Sequence, residues 1–365
     1  MNFSETLKKA ESGAALSVPE LALLLTEPGA EAAAALAAAA DRVKRACCGD
    51  WVNLRGLIEF SNVCERDCLY CGIRRGNIGV KRYRMRENDI VRAAELSGEF
   101  GYGSVVLQSG ERSDPEFVDF VTGVLKRIAA LPYRLGITLS CGEQTLETYL
   151  RWREAGATRY LLRIETSDRE LFHRIHPPSW RFDDRVAALA RLKEADYQVG
   201  TGVMIGLPGQ TAEHLAADVR FFRGIDADMI GMGPYLPQKD TPLGKAFPDP
   251  PGAAETRLEL ALRMISVTRL VLRDVNIAAA TALQAISPAD GRERGILAGA
   301  NVIMPNVGDP ACRRNYQLYN GKPDLDENAP AVREKLLASL AAVGARPRFN
   351  EPGDPLHYAA RTRKR

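Results

Sequence analysis

The chain has too few ligands in the right places for several common cysteine chemistries. Seven cysteines and four histidines are spread over 365 residues. A structural zinc site wants four ligands, usually as two separated pairs. Outside one short loop the cysteines are Cys47, Cys48, Cys141 and Cys312, which form no second pair of that kind, and the histidines lie far off in sequence. A disulfide framework suits small secreted domains, whereas this chain is long and Met1–Glu5 shows no basic-then-apolar leader. Long apolar runs are also missing. Ala32–Ala40 is too short and too weakly apolar to span a bilayer, and charges flank it. A net charge of +3 is too small to argue for nucleic acid or a membrane surface. Met204–Thr211 is rich in glycine but lacks the lysine of a P-loop, which argues against triphosphate binding. Arg361–Arg365 reads as a solvated end, and His173 and His176 beside Pro177-Pro178 read as solvated side chains. A cytoplasmic protein with no nucleic-acid or membrane partner is expected.

What is present is concentrated. Cys64, Cys68 and Cys71 stand on one loop, directly after a strand-like segment, Leu54–Phe60. Three thiolates can hold three corners of a [4Fe–4S] cluster and leave the fourth iron free to bind a small molecule. Such an open iron is oxygen-sensitive, in keeping with the cytoplasm.

The first fifty residues are expected to be helical, with Ser17 and Glu20 as a capping box and Leu21, Leu24 and Leu25 on one apolar face. A second helix is expected to run to about Arg45. From residue 50 short β-branched runs alternate with helical spacing. The expected strands are Leu54–Phe60, Ser104–Leu107, Leu135–Ser140, Tyr160–Glu165, Val199–Ile205, Met229–Tyr235, Asn276–Ala282 and Asn301–Met304. Eight strands alternating with helices predict a parallel (β/α)8 barrel, with an open doubly wound sheet as the alternative. The expected division is N-terminal helices over 1–49, the barrel over 50–308 and a closing segment over 309–365, whose helix near Ala331–Val343 would cover the barrel mouth.

Catalytic residues of such barrels lie at the C-terminal strand ends. Gln108-Ser109-Gly110-Glu111 closes the second strand there. On the fourth, Arg159, Arg163 and Glu165 share a face by the period of two. Strands buried on both sides are normally apolar, and burying such ions costs several kcal/mol each unless they are paired or liganded. They are therefore either a structural ion pair or a ligand site.

The Cys-x3-Cys-x2-Cys spacing, with Tyr70 just before the last cysteine, resembles the radical S-adenosylmethionine (SAM) enzymes. Further segments are similar to the HydE maturases of [FeFe]-hydrogenase: Ile58–Cys64, Cys71–Arg75, Lys81–Met85, Leu107–Glu111, Tyr160–Thr166, Gly206–Thr211, Gly299–Asn306 and Tyr316–Tyr319. The resemblance implies one [4Fe–4S] cluster on Cys64, Cys68 and Cys71, with SAM contacted by Tyr70, Ser109, Glu111, Arg163, Glu165, Arg185 and Met204. It implies a substrate chamber faced by Gln108, Arg159, Met229 and Thr281. The implied substrate is an anionic iron–cysteine complex with CO and cyanide supplied by HydG, the product passes to HydF, and an electron donor is required. Two departures stand out. The residues after Gly321 hold no cysteines for a second cluster, so a single cluster is expected, and Ala280-Thr281 replaces a pair of threonines. A methylornithine-synthase-like mutase and a biotin-synthase-like sulfur insertase remain open as alternatives, as does a non-enzymatic iron–sulfur carrier.

Overall fold

A computed structural model describes residues 2–363. Its strands are β1 (Trp51–Ser61), β2 (Ser104–Ser109), β3 (Gly136–Ser140), β4 (Ala157–Leu161), β5 (Gln198–Thr201), β6 (Met204–Ile205), β7 (Met229–Ile230), β8 (Gly233–Pro234), β9 (Asn276–Ile277), β10 (Val302–Ile303) and β11 (Arg346–Arg348). The main sheet is parallel throughout, in the order β10-β1-β2-β3-β4-β5-β7-β9. It closes on itself. Ala278 pairs with Val302, and the Asn301 N–H donates to Ile277 O while Ala279 N–H donates to Val302 O, each at 2.9 Å. The fold is thus the eight-stranded barrel and not the open sheet. All strand ends point to one mouth, and helices such as Pro115–Ala129 and Phe182–Glu194 cover the outside.

Two expected strands are each cut in half. Between β5 and β6, and between β7 and β8, the ladder breaks at Gly202 and Gly231. A Cβ on Gly202 would lie 2.0 Å from Gly231 O, so the two chains touch through bare backbone and then separate. β6 and β8 pair again above that point. β4 also ends earlier than its sequence pattern suggests, at Leu161, and Glu165 takes a φ of 67°. Asn276–Ala282 yields only the short β9 before the helix Thr281–Ile286 begins.

The N-terminal helices pack on the barrel's flank. Val18–Thr26 starts with the capping box, Ser17 and Glu20 satisfying each other's backbone N–H, and buries Leu21, Leu24 and Leu25. Ala30–Cys48 lies along Ala253–Val271, where fully buried Ala39 and Ala40 allow close approach.

The C-terminal segment closes both ends of the barrel. Residues 309–322 cross the mouth. Ala329–Ala342 does not cover it, contrary to the sequence reading: that helix packs beside Phe100 and Phe349 and leads into β11, which pairs with Trp51–Asn53 at the start of β1. The chain then plugs the barrel base. Gly353 O accepts from Asn276 Nδ2 at 2.8 Å, and Asp354 accepts from Gln198 Nε2 at 2.7 Å and from Arg159. Gly353 has a φ of +68°, and a Cβ there would sit 2.5 Å from Asn53 Oδ1, so glycine is required. The following helix, Leu356–Thr362, is tied down rather than solvated. His357 bridges Asp226 (2.6 Å) and Asp274 (3.2 Å), and Arg361 bonds both carboxylate oxygens of Asp228 (2.8 and 2.9 Å). Lys364 and Arg365 lie outside the described residues.

Candidate active site at the barrel mouth

The cysteine loop leaves β1 where the chain is held on three sides. Asn62, fully buried, donates to Lys81 O (2.9 Å) and Asn315 O (2.7 Å) and accepts from Tyr83 N–H (2.8 Å). At the end of β2, a Cβ on Gly110 would lie 2.3 Å from Val63 O and 2.8 Å from Cys64 Cβ, so only glycine lets the second strand end approach the loop. Cys64 Sγ accepts the backbone N–H groups of Arg66 and Glu111, each at 3.4 Å. Such donors favour a thiolate. Against them, burial pushes the Cys71 thiol up to about 12, with Cys64 beside it adding to the effect, and burial raises Cys64 and Cys68 as well. Three mutually repelling thiolates therefore need cationic compensation, which coordinated metal supplies. Among the described residues no three His, Cys, Asp or Glu side chains converge as a single metal ion demands. Three cysteine ligands match a [4Fe–4S] cluster that keeps one iron without a protein ligand.

All three cysteines line a mouth chamber of about 240 Å³. Tyr70, Gln108, Ser109, Glu111, Arg163, Glu165, Arg185 and Met204 line it too. One wall is apolar: Met204 packs with Leu171, Ile175, Leu207, Tyr235 and Leu243, and Tyr70 lies against them. The opposite wall is ionic. Arg163 pairs with Glu165 (2.9 Å) and donates to Val203 O (2.8 Å). Arg185 donates to Glu143 (2.5 Å) and to Arg163 O. Burial opposes the Arg185 charge, but Glu143 and Glu111 outweigh it and hold the guanidinium above its ordinary value. Burial also pushes Glu111 upward, against the pull of Arg185 and Arg66.

Sequence reasoning missed Arg66, Glu143 and Trp180. The Trp180 indole donates to Glu143 (3.0 Å), and the guanidiniums of Arg66 and Arg185 stand 4.4 and 5.0 Å from its ring. Glu143 follows β3, so the strand-end rule that selected Glu111 selects it as well. His176 is 1% exposed, contrary to the solvated reading: it lies on the Phe172 ring, meets Tyr70 edge-on, and burial lowers its pKa to about 3. Over the mouth, Tyr316, Leu318 and Tyr319 complete the chamber. Their segment is fixed by Lys322, whose ammonium bonds Glu59 (2.6 Å) and Tyr316 O (2.9 Å) with both charged partners buried.

Three residues expected to face the substrate, Arg159, Met229 and Thr281, do not line the mouth chamber. Arg159 is fully buried but turns to the base, where it donates to Gln198 (3.1 Å), Pro352 O (2.8 Å) and Asp354. The period of two fixes its face of the strand, and its long stem then reaches Asp354 at the base. Met229 lies in a separate, small inner cavity of about 20 Å³, beside Arg55, whose Nη1 is 2.9 Å from the Met229 sulfur. Leu161 lines both spaces and forms the partition. Thr281 begins a helix and is half-buried, while the neighbouring Ala282 lines the mouth chamber. Cys141 is buried with Sγ near Leu107 O, at 3.9 Å, away from the trio.

The sequence matches the Radical SAM superfamily over residues 58–222. It is 43% identical to the [FeFe] hydrogenase maturase subunit HydE of Thermotoga maritima over 309 residues, covering 84% of this chain and 85% of that protein. The 3-methylornithine synthase of Methanosarcina barkeri is 30% identical over 347 residues, 94% of each chain. The crystal structure of methylornithine synthase (PylB) superposes with a TM-score of 0.78 at 28% identity, covering 94% of this chain and 98% of that one. No helix among the described residues is long and apolar enough to cross a membrane. A three-cysteine loop at a barrel mouth, an ionic and apolar chamber beside it, and this similarity place the chain among the radical SAM enzymes, which use a [4Fe–4S] cluster and SAM, and within them in the HydE family of [FeFe]-hydrogenase maturation.

Proposed function

We propose that the mouth chamber holds SAM between the three thiols and Leu161, and that the substrate is the iron–cysteine CO/cyanide complex made by HydG. When bound, the cluster supplies the electron that splits SAM into methionine and a 5′-deoxyadenosyl radical. The chain's own residues do the rest. Cys64, Cys68 and Cys71 hold the cluster and leave one iron open. Ser109 and Glu111 accept from the SAM ammonium; Ser109 already donates its own proton to Gly110 O (2.7 Å), which leaves its oxygen facing as an acceptor. Arg185 neutralises the carboxylate, and the Arg163–Glu165 pair opens toward the ribose. Tyr70 and Met204 form the flat apolar wall for adenine. With Arg159 committed at the base, Gln108 is the substrate-side group in the chamber and the substrate's negative charge falls to Arg163. Tyr316, Leu318 and Tyr319 keep water from a carbon radical. The product then passes to HydF, in the cytoplasm.

The observation that carries this reading is the convergence of the cysteine trio and the Arg163, Glu165 and Arg185 charges on one chamber. The test is complementation. The chain restores hydrogenase activity in an assembly system that lacks only HydE, and Cys64→Ala abolishes the effect. A second reading, an amino-acid mutase, is favoured by the PylB-like fold over 94% of the chain. No recovery by a protein with verified iron content, together with formation of 3-methylornithine, would select it.

A further inference from the structure

The chamber consumes electrons, and the surface next to it is unlike the rest of the molecule. Between Glu65 and Arg86 stand seven cationic side chains and two carboxylates, a net of +5 in a chain whose total is +3. Most of those cations are already engaged. Arg66 pairs with Glu111, Arg74 with Asp67, Arg84 with Glu116 and Arg86 with Asp89. Arg75 and Lys81 are exposed, and among the described residues neither forms an ion pair. Between them Ile78 is 98% exposed, the most exposed large apolar side chain among the described residues.

This is a built loop and not a slack one. Arg82 reaches back under it and donates to the carbonyls of Asn62 (2.7 Å), Ile73 (2.7 Å), Arg74 (2.6 Å) and Asn77 (3.3 Å). Asn77 donates to Gly72 O (2.7 Å), and Gly76 N–H donates to Asp67 (2.8 Å). Arg74 Nε donates to the carbonyl of Cys68 itself, at 3.2 Å. Ile78 is therefore held out in water by a scaffold continuous with the cysteine loop.

We infer that the Arg75–Lys81 loop is the docking face for a small acidic one-electron carrier protein. An apolar tip rimmed by unpaired cations fits the small, charge-steered interfaces of redox encounters. A preformed loop loses little freedom on docking. RNA would want exposed aromatic stacking platforms, and Tyr83 is turned inward to Glu59 O at 2.6 Å instead. The inference rests on the cysteine trio holding a reducible cluster. One electron leaves the carrier, which is oxidised by one unit; the cluster is reduced by one unit, and no bond or proton changes at the surface.

The test uses the full chain and the triple variant Arg75→Glu/Ile78→Asp/Lys81→Glu, with an acidic plant-type ferredoxin and an acidic flavodoxin as probes. Binding is followed calorimetrically with the oxidised carriers, so no SAM cleavage is needed. The unmodified protein binds at least one carrier and weakens steeply with added salt, and the variant loses about tenfold or more in affinity. In turnover, carrier-driven 5′-deoxyadenosine formation falls similarly while the dithionite-driven rate is unchanged. Equal binding by both proteins, or binding of neither carrier at low salt, overturns the inference. An unmodified protein that binds a carrier but never cleaves SAM retires the reading of the chamber and leaves the docking face standing.

Discussion

The two ends of the barrel are closed by the same C-terminal segment, yet they use arginine in opposite ways. At the base, Arg159 meets a carboxylate, a carbonyl and an amide, and its partners are themselves part of a plug. At the mouth, Arg163 and Arg185 border an open chamber and touch acids that also line or support it. Only three residues stand between Arg159 and Arg163. Residue type and strand position do not tell a cation locked in a plug from one that lines an open chamber; what lies at that end of the barrel does.

The sharpest break of this comparison is the loss of a cysteine. Cys64→Ala is expected to abolish SAM cleavage entirely, with iron per chain falling after reconstitution and thermal stability of the iron-free protein little changed. Next comes the arginine pair itself. Arg163→Ala should weaken SAM binding about ten- to a hundredfold, as expected for losing charged hydrogen bonds, with stability almost untouched. Arg159→Ala should do the reverse, costing about 2 kcal/mol in urea unfolding while SAM affinity in the folded protein stays the same. That figure lies below the usual cost of breaking a buried pair because the Asp354 side chain is 49% exposed and rehydrates. Equal SAM defects in both variants would erase the distinction.

The sequence reading went furthest where composition changes abruptly. The β-branched runs located all eight barrel strands, because strands buried on both faces must be apolar. The cysteine loop and the residues at the ends of β2 and β4 followed from the geometry of the barrel. What could not be read were contacts between distant segments. Arg346-Pro347-Arg348 has no strand pattern and pairs only because β1 is long enough to reach it. Glu143 and Trp180 meet Arg66 and Arg185 through turns of unrelated sequence. The turn of Arg159 toward the base was not legible because alternation along a strand fixes a side chain's face but not the end toward which a long stem leans.

The mouth closure offers a smaller test. Lys322→Ala leaves Glu59 buried without its cation and should destabilise by about 3 kcal/mol, while Lys322→Met with Glu59→Met recovers part of the loss. The last test concerns pH at the base. Hydrogen bonds to Asp274 and Asp226, together with their charges, raise His357 to about 9. A folded-state value above the unfolded one contributes stability that is complete below about pH 6.5 and fades as pH rises through about 9. Melting temperature should therefore decline over that window, and His357→Gln should flatten the decline. An unchanged profile would remove His357 from the base clamp.

The basal plug also sets an order of events during synthesis. Residues 352–354 emerge from the ribosome after every barrel strand, so Arg55 and Arg159 must wait at an unfinished floor, drawing in solvent, until Asp354 arrives. A nascent chain stalled before that point has its helices and cysteine loop but leaks from below, and iron loaded then would meet oxygen from a side that the mature enzyme has sealed.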